Sequence, residues 1–150
     1  MLKITLRLGL AALGLIGALH SAVQAQGPFD PVISVNRAAI TAYELEQRER
    51  FLEILQRSSG MAQRARDTLI EDRLKMAAAD RAGINLSDAQ VVKAMEEFAA
   101  NANLDLNQLL DTLAQNGVDE QTYRDFIKAG VTWREVIRAR FAAHSAPSEA

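Results

Sequence analysis

The chain has 150 residues with 17 basic and 19 acidic side chains, a formal net charge of −2, and no cysteine. The lack of cysteine excludes disulfides, cysteine-based zinc sites, a thiol nucleophile and the lipidated cysteine of a lipoprotein. Nucleic acid binding normally requires a concentrated basic face, and a mildly acidic chain is the wrong starting point for one. The length of the chain suits one domain with a single apolar core.

The N-terminal residues, 1–25, have the layout of a cleavable export signal. A basic start precedes an apolar stretch, Leu8–Leu19, and small residues precede a cleavage site between Ala25 and Gln26. As a helix, the stretch would be only about 18 Å long, whereas a retained anchor, the alternative, must cross about 30 Å of hydrocarbon. Cleavage removes two bases and no acid, which leaves a net charge of −4. We therefore expect an exported protein without stable membrane insertion.

A short linker and a β-hairpin are predicted next. Residues 26–31 contain two prolines and a glycine, which is typical of a linker. Apolar residues then alternate on both sides of Asn36 and Arg37 within residues 32–40, which indicates a very short extended pair or hairpin. Arg37 is a poor residue for a turn position that requires positive φ.

Two helices follow, with recognisable start and stop signals. Thr41 and Glu44 form a capping box at the start of helix one, predicted over about 42–57 and ended by Ser58-Ser-Gly60. Helix two is predicted over about 62–82, with Gly83 as a left-handed stop. The positions expected to face the core are Leu45, Phe51, Leu52, Ile54 and Leu55 in helix one, and Ala65, Leu69, Ile70, Leu74, Ala77 and Ala78 in helix two.

Three more helices repeat this pattern. Capping boxes at Ser87–Gln90 and Asp105–Gln108 open helices three and four, Asn116-Gly117 closes helix four, and Asp119 is expected to cap helix five, over about 120–141. The expected core positions are Val91, Val92, Met95, Phe98, Ala99 and Ala102, then Leu106, Leu109, Leu110 and Leu113, and finally Tyr123, Phe126, Ile127, Ile137 and Phe141. The chain is therefore predicted to be all-α, with about five helices in a small orthogonal or irregular bundle.

Helix five carries two unusual features. Gly130 lies near its middle, which favours a kink or a close helix crossing. Val131, Trp133 and Val136 lie off the main apolar stripe. A second apolar face requires a second partner, unless Trp133 simply packs on the core of the domain itself.

The sequence offers no constellation of catalytic side chains. After cleavage His144 is the only histidine, and it falls in a predicted polar tail, 142–150, so neither a Ser-His pair nor a histidine metal site is expected. Adjacent carboxylates such as Glu96 and Glu97 lie on predicted helices, where solvated surface charge is the ordinary interpretation. We therefore predict no catalytic residue, no metal and no cofactor.

The remaining charges and methionines are interpreted in structural terms first. The runs Glu44–Arg50 and Gln63–Arg73 mix both signs along helices and predict solvated, salt-bridged faces. Met95 is expected in the core. Met61, beside a glycine-containing loop, is a candidate for exposed contact.

Four motifs in fixed order carry a family resemblance. They are VISVNxxxITxxEL from Val32, GIxLSDxQ from Gly83, FAxxxxLxLxQL from Phe98 and GVxxxxYRxxI from Gly117. This arrangement resembles the N-terminal chaperone domain of the SurA family of bacterial periplasmic proteins, related to the peptide-binding regions of trigger factor and of PpiD-like isomerases. The resemblance spans about residues 31–141. It implies a periplasmic chaperone domain that holds unfolded outer membrane proteins in transit and requires no ATP or cofactor.

The family usually continues into parvulin prolyl isomerase domains and a C-terminal segment that completes the chaperone core. The last residues, Ser145–Ala150, resemble a linker leading to another helix. The sequence is therefore interpreted either as a fragment of a longer chaperone or as a free-standing relative that pairs with another chain. Two alternatives to a chaperone domain are the non-catalytic front of a peptidylprolyl isomerase and an envelope structural protein with one dedicated partner. A partner chain or a C-terminal segment would then cover the open face. The residues predicted to contact a client are Phe51, Met61, Val131, Trp133 and Val136.

Overall fold

Five helices and one β-hairpin form most of residues 27–145, the part of the chain that this computed structural model describes. The strands are β1 (Pro31–Val35) and β2 (Ala38–Thr41), and the helices are α1 (Ala42–Gln56), α2 (Ala62–Arg81), α3 (Asp88–Asn101), α4 (Leu106–Gln115) and α5 (Glu120–Ser145). The predicted all-α class with a short hairpin is confirmed. The predicted export signal and its cleavage site lie outside the described residues. Across residues 27–145 no helix is both long enough and apolar enough to cross a membrane.

The hairpin is antiparallel, with Ile33 opposite Ile40 in its register. Of the two turn residues only Asn36 has a positive φ, of 56°, so Arg37 is spared the conformation that made it a poor turn residue. Ile40 is fully buried and anchors the hairpin on the helices.

Arg73 of α2 holds the hairpin against the helical part of the domain. Its Nε and Nη2 donate to the carbonyl oxygen of Ala39 at 3.1 and 3.0 Å, and Nη2 also pairs with the carboxylate of Glu44. One side chain thus connects β2, α1 and α2.

Helix starts follow the sequence closely. Capping boxes are present at Thr41–Glu44, Ser87–Gln90 and Asp105–Gln108, as predicted. In each, the cap side chain accepts a backbone hydrogen bond and the side chain three residues later accepts one in return. These reciprocal bonds satisfy backbone donors that a helix start otherwise leaves unpaired.

Two helix ends differ from the prediction. Arg57, with φ of 49°, takes the left-handed position after α1, so the helix ends before Ser58-Ser-Gly60 is reached. At the other end of the chain, α5 continues to Ser145, so the first four residues of the predicted polar tail are helical. Gly83 and Gly117 adopt the expected positive φ, of 66° and 72°.

The core lies where α1, α3, α4 and α5 meet. Its buried members are Phe51, Val91, Met95, Ala99, Leu109, Leu113, Val118, Tyr123 and Ile127. Four rings contact one another at centroid distances of 5.1 to 6.0 Å, those of Phe51, Phe98, Tyr123 and Phe126. Most predicted core positions of α3, α4 and α5 are therefore confirmed.

Four predicted core positions are wrong. Leu55, Leu74 and Phe141 are 38%, 47% and 64% exposed, and Ala102, which directly follows α3, is exposed as well. The buried stripe of α2 instead contains Asp72, and Leu74 lies about 200° around the helix from that position because each residue turns the helix by about 100°.

The predicted close helix crossing at Gly130 is also wrong. A Cβ built at Gly130 would meet no neighbouring atom within 4 Å, and α5 runs unbroken through this position. The glycine instead lies exposed at the edge of a groove described below.

Candidate functional site

An open groove lies between the C-terminal parts of α2 and α5. We call it the Trp133 groove; its lining residues are Ala78, Arg81, Ala82, Trp133, Val136, Ala139 and Arg140. Its volume is about 480 Å³, within the range of roughly 300 to 1,000 Å³ typical of binding pockets. Small alanine side chains on both helices leave this space beside the larger indole. The groove is therefore an apolar slot with guanidinium groups in its lining.

Trp133 combines the two predicted roles: it packs partly on the domain itself and is partly open to a second partner. It is half-buried beside the buried Val136, which is 6% exposed, and it also lines open space. Part of the indole thus stabilises the domain, and the remainder is available to a molecule that enters the groove.

A second groove runs between α3 and α5 and reaches α2. We call it the aromatic groove; its lining residues are Asp72, Lys75, Ala94, Glu97, Phe98, Asn101, Phe126, Ile127, Gly130, Val131 and Arg134. Its volume is about 390 Å³. The two phenylalanine rings meet edge to face, with centroids 6.0 Å apart. Charged side chains of both signs accompany this apolar surface, which suits a segment of mixed composition.

The structure divides the predicted client-contact residues among four environments. Trp133 and Val136 line the Trp133 groove, and Val131 lines the aromatic groove. Met61 is partly exposed at the start of α2. Phe51 is completely buried in the core, so a client cannot contact it in the folded domain and its prediction as a contact residue is wrong.

An ion pair that the sequence did not predict lies beside the aromatic groove. Arg48 Nη1 is 2.8 Å from Asp72 Oδ2, and the two side chains are 2% and 11% exposed. The guanidinium also lies over the Phe126 ring, 5.3 Å from its centroid. The charged runs that contain these residues were predicted to be solvated. The signal that could have identified them is position: Arg48 precedes the buried Phe51 by three residues, and Asp72 follows the buried Leu69 by three.

A buried glutamine ties α1 to the turn before α5. Gln47 is 5% exposed; its Nε2 donates to the carbonyl of Gly117 at 3.0 Å, and its Oε1 accepts from the amide of Asp119 at 2.8 Å. This turn therefore keeps a fixed position, and with it the start of the helix that carries both grooves.

Different causes raise the pKa values of the two tyrosines. The hydroxyl of Tyr43 donates to the carboxylate of Asp119, and this hydrogen bond raises the pKa of Tyr43. Burial raises the pKa of Tyr123 to about 12, and its hydroxyl donates to the carbonyl of Met95 at 2.7 Å. Both act as donors that fix helix positions.

The described residues form no cluster of three or more histidine or acidic side chains that could hold a metal ion. Two of the open grooves that the described residues form lie along α5, and each combines apolar and charged groups in its lining. Such an arrangement can bind a flexible segment by apolar burial together with hydrogen bonds and charge.

Comparisons with known proteins agree on one family. The family model described as a SurA-like N-terminal domain matches residues 1–137. A protein named Chaperone SurA from Pseudomonas syringae pv. tomato is 30% identical over 149 residues, which cover 93% of this chain and 34% of that protein. Proteins of the same name from Pseudomonas syringae pv. syringae and Vibrio vulnificus are 32% and 30% identical, over 85% and 90% of this chain. The chain thus spans about a third of the length of these relatives. No solved structure gives a significant match.

Proposed function

We propose, on the premise that this chain belongs to the SurA-like N-terminal domain family, that it is a chaperone domain which binds unfolded outer membrane proteins during transit and assembly. The membership rests on the family match over residues 1–137 and on relatives named Chaperone SurA. The client class is an expectation from the family, and the grooves on α5 are the surfaces to which we assign it.

The single observation that carries this proposal is the half-buried Trp133 in a groove that the described part of the domain leaves open. Burying one large apolar side chain of a client there would contribute roughly 1.5 to 3 kcal/mol. A few such contacts give reversible binding of intermediate affinity. That strength suits a protein that must release its clients.

We also propose the chain organisation that goes with this role. Residues 1–25 are removed on export to the periplasm, 26–31 form a linker whose last residue begins β1, 32–141 form the chaperone domain, and 142–150 form a tail whose first four residues extend α5. Part of the linker is attached to the domain, because the backbone amide of Tyr43 in α1 donates a hydrogen bond to the carbonyl oxygen of Pro28 at 2.7 Å. Sequencing of the N-terminus of the exported protein tests the cleavage site, with Gln26 as the expected first residue.

Suppression of aggregation tests the function. A urea-denatured outer membrane protein is diluted into buffer with increasing amounts of the purified chain, and light scattering is recorded. We expect scattering to fall at near-stoichiometric ratios and to be restored in large part by Trp133→Ala. Leu55→Ala is the matched control, because Leu55 is an exposed apolar residue that lines neither groove.

Unchanged scattering at several-fold excess of the chain would contradict the proposal. If the Trp133 and Leu55 variants lose protection equally, the chain acts as a chaperone through a surface other than the Trp133 groove. Circular dichroism of both variants confirms that they are folded before the comparison is made.

A further inference from the structure

Arg81, at the end of α2, lies at the junction of two grooves. It lines the Trp133 groove on one side and, on the other, a groove between α2 and the hairpin. We call the latter the hairpin groove; it has a volume of about 700 Å³ and is lined by Val35, Asn36, Arg37, Ala38, Arg73, Ala77, Asp80 and Arg81. A bound segment that crosses the end of α2 would contact both grooves.

The charges along this path are predominantly positive, although the chain as a whole has a net charge of −2. The charged side chains that line the two grooves are Arg37, Arg73, Asp80, Arg81 and Arg140. Arg73 is engaged by the Glu44 carboxylate and the Ala39 carbonyl. Among the described residues, Asp80 is the one carboxylate in either lining.

Arg37 and Arg81 are the side chains that distinguish this path. Both are exposed, and neither forms a salt bridge with any residue in the described part of the chain. A guanidinium group binds a carboxylate through paired hydrogen bonds, which are stronger than neutral ones. Arg81 therefore provides unsatisfied donors next to the Trp133 groove, and Arg37 provides them in the hairpin groove.

We propose that the end of α2 is a docking surface for polypeptide segments in which an apolar side chain is flanked by carboxylates. The apolar side chain enters the Trp133 groove, and the flanking carboxylates pair with Arg81 and, across the hairpin groove, with Arg37. This inference rests on the proposed function and adds to it the charge class of the preferred client. The partial negative charge at the C-terminus of α2 opposes a carboxylate, so the preference depends on the guanidinium groups.

Trp133 makes the proposal directly measurable, because it is the only tryptophan in the chain. Three tryptophan-free peptides share one central apolar sequence and carry flanks of Glu, Gln or Lys. Each is titrated into the protein at low salt and at 0.5 M salt while Trp133 fluorescence is followed. Vesicles of zwitterionic lipid with and without anionic lipid form a further arm.

The acid-flanked peptide is expected to bind about three- to tenfold more tightly than the neutral one at low salt, and the lysine-flanked peptide more weakly. Most of this difference should disappear at high salt, because ions screen exposed charges. Arg81→Gln should reduce the preference about two- to fivefold, and Arg37→Gln should act in the same direction. Arg64→Gln is the control, because Arg64 is exposed near the start of α2 and lines neither groove.

Equal affinity for the three peptides would overturn the inference and leave the proposed chaperone function in place. No response of Trp133 to any peptide would overturn it too, and the aggregation assay then decides the proposed function separately. A response to anionic vesicles without a response to the acidic peptide would assign the surface to lipid and overturn the polypeptide assignment.

Discussion

The guanidinium of Arg48 and the carboxylate of Asp72 join α1 to α2 at a separation of 2.8 Å, in a position where Arg48 is 2% exposed. Lys75 Nζ lies 3.6 Å from the other oxygen of Asp72. Because Asp72 also lines the aromatic groove, the pair fixes the polar side of that groove. A buried charge that loses its partner is strongly destabilising, whereas replacement of the whole pair by apolar residues often is not.

Asp72→Ala is therefore expected to lower the free energy of unfolding by about 3 kcal/mol, since it leaves Arg48 buried without its carboxylate. The double variant Arg48→Met with Asp72→Leu should recover most of this loss. Urea unfolding followed by circular dichroism measures both. A double variant that is less stable than Asp72→Ala would show that the pair itself is a net source of stability.

Gly130→Ala is expected to raise the free energy of unfolding by about 0.5 to 1 kcal/mol, because alanine restricts the unfolded chain and favours the helix. No neighbouring atom lies within 4 Å of the added Cβ. Gly117→Ala is the contrasting variant: Gly117 has φ of 72°, and a Cβ there would lie 2.8 Å from Arg50 Nη1. The midpoint of thermal unfolding should rise for Gly130→Ala and fall for Gly117→Ala. A lower midpoint for Gly130→Ala would contradict the prediction and show that position 130 requires glycine.

Thr132 contributes a buried hydroxyl with no hydrogen-bond partner in the described part of the chain, and the residue is completely buried. Thr132→Val replaces that hydroxyl by a methyl group of similar size and should stabilise the domain by about 1 kcal/mol. Thr132→Ser keeps the hydroxyl and loses the methyl group, so it should destabilise by about 1 kcal/mol. Chemical unfolding separates the two. Destabilisation by valine would mean that the hydroxyl has a partner, such as a buried water.

Alkaline pH should weaken the domain through Tyr123. Its pKa is about 12 in the folded state and about 10 in the unfolded state, so the neutral form favours folding. This contribution is complete below about pH 10 and is lost as the pH rises from about 10 to about 12. Tyr123→Phe should have a flatter stability profile over that range.

Because the chain has two tyrosines, the absorbance of tyrosinate in Tyr43→Phe reports Tyr123 alone. Its titration should have a midpoint near 12. A midpoint near 10 in the folded protein would contradict the effect of burial.

Helix existence and helix starts could be predicted from the sequence because their causes are local. The capping pairs Thr41–Glu44, Ser87–Gln90 and Asp105–Gln108 lie three residues apart and form the same bonds in any tertiary setting. The exposure of Leu74 could not be predicted, since it depends on which face of α2 meets its neighbours. The spacing of Asp72 from Leu69 marks its face of α2, but its partner Arg48 lies 24 positions earlier in the chain, so the ion pair depends on how α1 and α2 pack and could not be predicted.

The candidate site could be predicted only in part. The placement of Trp133 and Val131 off the main stripe of α5 indicated a second apolar surface, and the structure separates them into two grooves. Phe51 belongs to the core because α5 brings the rings of Tyr123 and Phe126 against it, a contact between distant segments that periodicity does not reveal.

Photo-crosslinking in the Trp133 groove tests the central claim most directly. A photoreactive residue in place of the exposed Ala139, which lines the groove, is compared with one in place of Ala89, which is exposed on α3 outside both α5 grooves. We expect a denatured outer membrane protein to crosslink at position 139, to crosslink far less at position 89, and to be displaced by excess unlabelled client. Equal yields at the two positions, or no displacement, would contradict the assignment of this groove as the surface that holds an unfolded chain.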